Sequence, residues 1–377
     1  MPVKRFLALD GFRGICAIVV VVYHTHVLGT FTEWIFFRNG SLFVDFFFIL
    51  SGFVLCHSYG QRLFNKTVFK QFLISRTFRL FPLHLFMLLV FILFETGKSV
   101  AQSKGYNFTT PSFSGVNDES EIFFNLFLLQ SWLSNASIYS FNYPSWSISV
   151  EYYTYIILGL ILFIVPAFRT TIFFIIVALT FFLMFNGSHL LKDEAVGGLF
   201  CFFSGCLCYL LYLRIKDALL SKTSYNFLEI ISLSALVLIF EMNIDHKNIV
   251  VSFLFMIIIL IFSFEGGIIS AILKSKPVGY LGKLSYSIYL THASILFLVL
   301  SGVMILSKVT GRNLTPVMGI GNDVSMRYIT TGNVIINNLL VFSIVGVVLL
   351  VAKFSYKLIE LNGISLGKKV SKSLIKS

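Results

Sequence analysis

The chain has 377 residues, of which 57% are hydrophobic and only 12% charged, against a charged share of about 25% in soluble domains. So few charges cannot cover a water-soluble surface, and several apolar runs reach the roughly 17 to 20 residues that cross a hydrocarbon core about 30 Å thick. The net charge of +12 contains no basic run long enough for a nucleic-acid patch; it is read as membrane topology, and no nucleic-acid partner is expected.

From Met1 to Arg13 there is no small-residue cleavage site, and Asp10 precedes the first apolar run, so the first helix is expected to be retained. Ten spans are predicted: Gly14 to Leu28, Leu42 to Tyr59, Leu80 to Phe94, Ser147 to Phe168, Thr170 to Phe185, Gly197 to Leu213, Phe227 to Met242, Ile249 to Phe264, Leu281 to Leu306 and Val334 to Phe354. The fold class is therefore an all-α, polytopic integral membrane protein. The fourth and fifth spans separate only if the chain turns near Pro166 and Arg169. Ile122 to Leu133 is apolar but too short to cross, and is expected at the interface or re-entrant. Residues 1–360 form one membrane domain, and 361–377 read as a short basic tail lying on lipid headgroups. The five cysteines sit in apolar stretches without a C-x-x-C, so they are read as core and no metal is expected. Most of the 43 Phe and 16 Tyr are read as lipid-facing filler.

Ten spans place both termini on one side. If Met1 is cytoplasmic, 21 of the 29 Lys and Arg residues fall in inside segments and 8 outside. The positive-inside rule favours that orientation, with the chain a multi-pass protein of a cell membrane, a bacterial inner membrane in the first instance.

Ionisable groups inside such spans carry the functional signal. Arg13 and His24 are eleven steps apart on the first helix, about 20° beyond three full turns, and so share one stripe roughly 16 Å long. Asp10 falls within about 40° of it, whereas His26 is about 200° round from His24. The second span opens with Asp45 and carries Ser51-Gly52 deeper, a small pair that permits close helix approach. Arg76 and Arg79, three apart before Leu80, suit phosphate oxygens if a helix starts there, although arginines at such a place commonly serve topology alone. Trp146 anchors an interface, with Ser149 and Glu151 below it; His292, nine residues in from Lys283, lies near midplane beyond Tyr289. An ionised group at the bilayer centre costs about 2.5 to 3.5 kcal/mol. Carboxylates and imidazoles on four spans are thus better explained by one shared polar cavity than by separate accidents, yet such groups also make proton relays in transporters or glue helices together.

At these residues the sequence resembles the acyltransferase 3 family of membrane acyltransferases. The matching text is Leu9-Asp10-Gly11-Phe12-Arg13-Gly14 with His24, Phe47-Phe48-x-x-Ser51-Gly52, Arg76-x-x-Arg79 before Pro82, Pro144-Ser145-Trp146-Ser147-x-Ser149-x-Glu151, and Leu281-Gly282-x-x-Ser285-Tyr286-x-x-Tyr289-Leu290-x-His292. Tyr152-Tyr153 stands where many members have a further acidic residue or glutamine, and no fused esterase-like domain is read in the chain. The resemblance implies an acyl-coenzyme A donor, acetyl-coenzyme A by expectation, without a metal. It implies acceptors that are hydroxyls of cell-surface glycans or glycolipid precursors, and glycan-assembly proteins or a second copy of the chain as partners. A basic mouth at Arg13, Arg76 and Arg79 would hold the donor's phosphates. His24 would act as base, or less directly as an acyl carrier, with Glu151 or Asp45 orienting it and Asp10, Ser51, Trp146, Ser149, Tyr289 and His292 lining the cavity.

Overall fold

The computed structural model describes residues 5–60, 62–106, 108, 110–187, 190–217, 220–320 and 324–376; Met1 and Lys4, which enter the orientation argument, lie outside them. Among the described residues, nine helical stretches are long and apolar enough to cross a membrane. The remaining expected span is an apolar helix of 17 residues, Lys247–Ser263. In chain order the long helices are α1 (Leu7–His24), α3 (Phe43–Tyr59), α4 (Lys66–Ser103), α6 (Ser145–Ile164), α7 (Arg169–Asn186), α8 (Asp193–Ile215), α9 (Lys222–Glu241), α10 (Lys247–Ser263), α12 (Lys276–Thr310), α13 (Val334–Ser355) and α14 (Leu361–Lys376). The short helices are α2 (Ile35–Arg38), α5 (Glu121–Leu126) and α11 (Ile268–Leu273), and one antiparallel hairpin pairs Val317–Ile320 with Val324–Arg327.

The break near Pro166 is present: a single 3-10 turn, Pro166–Phe168, separates α6 from α7. α5 covers only part of the apolar segment expected at the interface, and the chain then turns at Leu128, which has φ 57° and is fully buried. The surrounding loop is held by side chains that satisfy its backbone: Glu95 accepts from Phe113 N and Asn117 Nδ2, and His84 Nε2 bonds Asn125 O. All five cysteines are buried and unpaired.

Two predicted boundaries move. α4 starts at Lys66, fourteen residues before the expected Leu80, because the Asn65 side chain accepts from Val68 N at 2.9 Å and caps a helix there. Pro82 then sits inside α4, where it removes the N–H that Phe78 O would have received. The basic segment after residue 360 is helical. The last span passes through a π-helical turn, Tyr356–Glu360, into α14, whose Gly363 lies against Pro82 and Phe78 O.

Close backbone approach sets the two contacts that matter for the site. A Cβ on Gly52 of α3 would stand 1.9 Å from Phe202 O of α8, which accounts for the small pair at Ser51-Gly52. On α12, a Cβ on Gly282 would stand 2.1 Å from Asp10 O, and one on Gly14 2.5 Å from Gly282 N. α1 and α12 therefore cross backbone to backbone near their basic ends.

Candidate active site

The stripe on α1 faces α12 along its length. Arg13 Nε donates to Ser285 Oγ at 3.0 Å and its Nη2 to Gly282 O at 3.2 Å. Three turns further, the His24 ring stands 5.1 Å from that of His292, centroid to centroid. His26 points elsewhere, with Nδ1 2.9 Å from Arg38 Nη1 and its ring 5.4 Å from that of Tyr328. Burial first, then the charge of Arg38, lowers the His26 pKa to about 4, so this imidazole is neutral and accepts from the guanidinium.

The two facing histidines share a tautomer. His24 Nδ1 lies 3.0 Å from Val20 O and His292 Nδ1 2.6 Å from Tyr289 O. A carbonyl oxygen only accepts, so this bonding assigns the hydrogen to Nδ1 in both rings and the lone pair to Nε2. His24 is half-buried, whereas His292 is fully buried with an Nε2 that has no hydrogen-bond partner. Tyr143 completes the cluster, its ring 4.9 Å from His24 and 5.9 Å from His292. Burial, reinforced by Tyr289 and Tyr23, raises the Tyr143 pKa and keeps its phenol protonated.

A narrow cavity of about 70 Å³ lies on the Arg13 side, and neither histidine lines it. It is lined by Arg13, Arg79, Ser51, Glu151, Ser147, Ser285, Tyr286 and Tyr289, with apolar walls from Val44, Phe47, Phe48, Leu80 and Ile148. That volume takes a few water molecules or a thin chain, and no ring system as large as a nucleobase. Ser51 Oγ donates to Glu151 Oε1 at 2.9 Å, and Tyr155 OH donates to the same oxygen. Tyr289 links the cavity to the histidines: its side chain lines the cavity and accepts from Ser147 Oγ at 2.9 Å, while its carbonyl holds His292.

Other predicted residues fall apart from this arrangement. Arg76 and Arg79 do not act as a fork at a helix start, because α4 runs through both. Arg79 lines the cavity, whereas the Arg76 guanidinium sits 5.9 Å from each of the Tyr59, Phe72 and Tyr155 rings. Asp45 lies six steps, or about 240°, round α3 from Ser51 and cannot share its cavity. It accepts from Ser252 Oγ at 3.3 Å and lines a second cavity together with Trp146, Asp193 and Glu194. Neither Asp45 nor Glu151 is bonded to His24, whose ring is held by its own helix. Asp10 pairs with Arg5 at 2.5 Å, outside the cavity lining. Ser149 is a fastening, donating to Leu128 O at 2.5 Å and accepting from Ser131 N at 3.3 Å.

One group was not singled out from the sequence. Glu360, in the π-helical turn, is buried and accepts from Ser287 Oγ at 2.8 Å. Its charge is among those that act on Arg79 and Arg13, and among the described residues it forms no ion pair with either. The available signal was its isolation: it is the sole acidic residue after Asp323, set between Ile359 and Leu361. Among the described residues no cluster of His, Cys, Asp and Glu has a metal-holding arrangement.

Comparison with known proteins gives a match to the family model described as an acyltransferase domain, acyltransferase 3, over residues 6–355. A Rhizobium radiobacter protein described as protein 2 in the picA locus is 42% identical over 91 residues, 23% of this chain and 44% of that protein. Acyltransferase MdmB of Streptomyces mycarofaciens is 34% identical over 163 residues, 41% of this chain and 38% of its own length. The chain thus matches less than half the length of these curated relatives. No solved structure matches it.

Proposed function

Because the chain belongs to the acyltransferase 3 family, we propose that it moves an acyl group, acetyl in the first instance, from acyl-coenzyme A to a hydroxyl of a cell-surface glycan or glycolipid precursor. The observation that carries this reading is the shared face of Arg13 and His24 on α12, with a narrow cavity that both guanidiniums line and that reaches Tyr289, the residue whose carbonyl holds His292. Two guanidiniums at one mouth suit the phosphates of a coenzyme A donor. The cavity is narrow enough to select its thin thioester arm and to leave the nucleotide outside.

The chemistry asked of the protein is modest. Arg79 and Arg13 bind the donor from the cytoplasmic side, Tyr289 gives way, and the thioester carbonyl comes within reach of His24. The His24 Nε2 lone pair takes the proton of the acceptor hydroxyl as its oxygen attacks, a contribution of about 10² to 10⁴ in rate for a placed general base. The bundle lies in a bacterial inner membrane, with glycan-assembly proteins as its partners.

The test uses the full chain in lipid nanodiscs with radiolabelled acetyl-coenzyme A and octyl β-glucoside as acceptor. Release of free coenzyme A together with label on the glucoside is expected. Protein that neither binds nor consumes acetyl-coenzyme A refutes the reading and favours a transporter built on the same midplane groups. Unchanged acetyl content of surface glycans in cells lacking the gene would exclude a surface acceptor.

A further inference from the structure

We propose that His292 is the second half of a proton-sharing imidazole pair, positioning the proton that His24 accepts and taking part of its charge. This rests on the acyltransferase reading above and adds a role for His292 that the cavity alone does not supply.

Three observations meet here. His292 is fully buried, its Nδ1–H is engaged by Tyr289 O, and its Nε2 is left without a partner. A side chain serving only to fill space has no need of that atom; phenylalanine would occupy the site without burying an unpaired acceptor. Next, the His24 ring is 5.1 Å away and is fixed in the same tautomer, so two Nε2 lone pairs belong to one cluster. With the centroids 5.1 Å apart and the planes tilted by 39°, the rings are neighbours that no hydrogen bond joins here, and a proton on His24 is what would draw the two Nε2 atoms to hydrogen-bond length. Last, the neighbours that face the pair carry no negative charge: Tyr23, Tyr143 and Tyr289 are phenols, His26 is an imidazole, and Asn142 donates to Leu290 O. Among the described residues no carboxylate bonds either ring. A proton arriving on His24 therefore has no anion to balance it, and the free lone pair of His292 is the acceptor at hand.

The step balances without any further reactant. The acceptor O–H bond breaks and its proton goes to His24 Nε2, shared with His292 Nε2, as the new O–C(acyl) bond forms. The C–S bond then breaks with its electron pair on sulfur, and the pair returns the proton to the thiolate. Ester and thiol result, and both rings are neutral again.

The experiment measures coenzyme A release from acetyl-coenzyme A, with octyl β-glucoside as acceptor, by the full chain in nanodiscs. His292→Phe should lower kcat about 100-fold with KM for acetyl-coenzyme A within about twofold, and His292→Gln, whose amide oxygen can accept a hydrogen bond, should recover about tenfold. The proton inventory in mixed H2O and D2O should be bowed for the wild type and straight for both variants. Retention of kcat within about threefold, a KM that rises in step, or an inventory that stays bowed overturns the pair while leaving the acyltransferase reading intact. If His292→Phe does not fold, the inventory of His292→Gln decides. Wild-type protein that releases no coenzyme A overturns the donor reading and the pair with it.

Discussion

Gly282→Ala should disable the site from a distance. Its Cβ would stand 2.1 Å from the backbone oxygen of Asp10, where ordinary contact begins near 3.4 Å, and backbone cannot turn aside as a side-chain tip can. α1 and α12 must therefore separate by about 1.3 Å, an overpacking that costs about 1 to 3 kcal/mol. The same displacement stretches the 3.0 Å bond from Arg13 to Ser285 to about 4.3 Å, beyond hydrogen-bond reach. A misplacement of about 1 Å costs on the order of 100-fold in rate. Gly279, one turn earlier on the same helix, is the control: nothing lies within 4 Å of its added Cβ, and Ala there should stabilise the helix by up to about 1 kcal/mol. Thermal unfolding and acetyl-coenzyme A turnover of the two variants in nanodiscs measure both effects. Equal stability and equal turnover would refute the claim that this crossing sets the geometry of the site.

Three further outcomes are expected. Arg79→Ala should weaken coenzyme A binding, read by titration calorimetry, by at least about tenfold more than Arg76→Ala, since only Arg79 lines the cavity; equal losses would return both arginines to the mouth. Glu360→Gln should tighten coenzyme A binding about two- to tenfold, because the phosphates no longer compete with a carboxylate for Arg79; weaker binding would instead show that Glu360 positions the guanidinium. Stability should depend on pH through His26, whose pKa falls from an ordinary 6.5 to about 4 in the fold, burial being the larger cause and Arg38 the smaller. Above pH 6.5 both states are neutral, and as pH drops from 6.5 towards 4 only the unfolded chain takes the proton, so stability is lost across that window. The melting temperature of His26→Gln should fall less steeply there, and parallel curves for variant and wild type would exclude His26 as the cause.

Periodicity made much of this architecture legible before any coordinates. The span positions, the break at Pro166 and the common face of Arg13 and His24 follow from residue spacing along single helices. What spacing cannot reveal is which helix stands opposite. His292 lies 268 residues beyond His24, and their meeting depends on the glycine crossing of α1 and α12, a contact that no local pattern encodes. Asp45 illustrates the converse: its depth was readable, but its direction depends on the rotation of α3 against α8 and α10, which sends it to Ser252. Glu360 escaped attention because a lone acid at the end of an apolar run looks like a tail residue until the π-helical turn swings it inward.

The position of Tyr289 bears on how such a bundle stays sealed. Were the two reactants to arrive from opposite compartments, any continuous wet path through the bundle would dissipate the ion gradients its membrane maintains. A single phenol, latched by Ser147 at the tip and bonded through its own backbone to His292 at the base, would tie permeability to turnover. Replacing it with a smaller residue would be expected to show up first as proton conductance in a planar bilayer, with slower transfer only a second symptom.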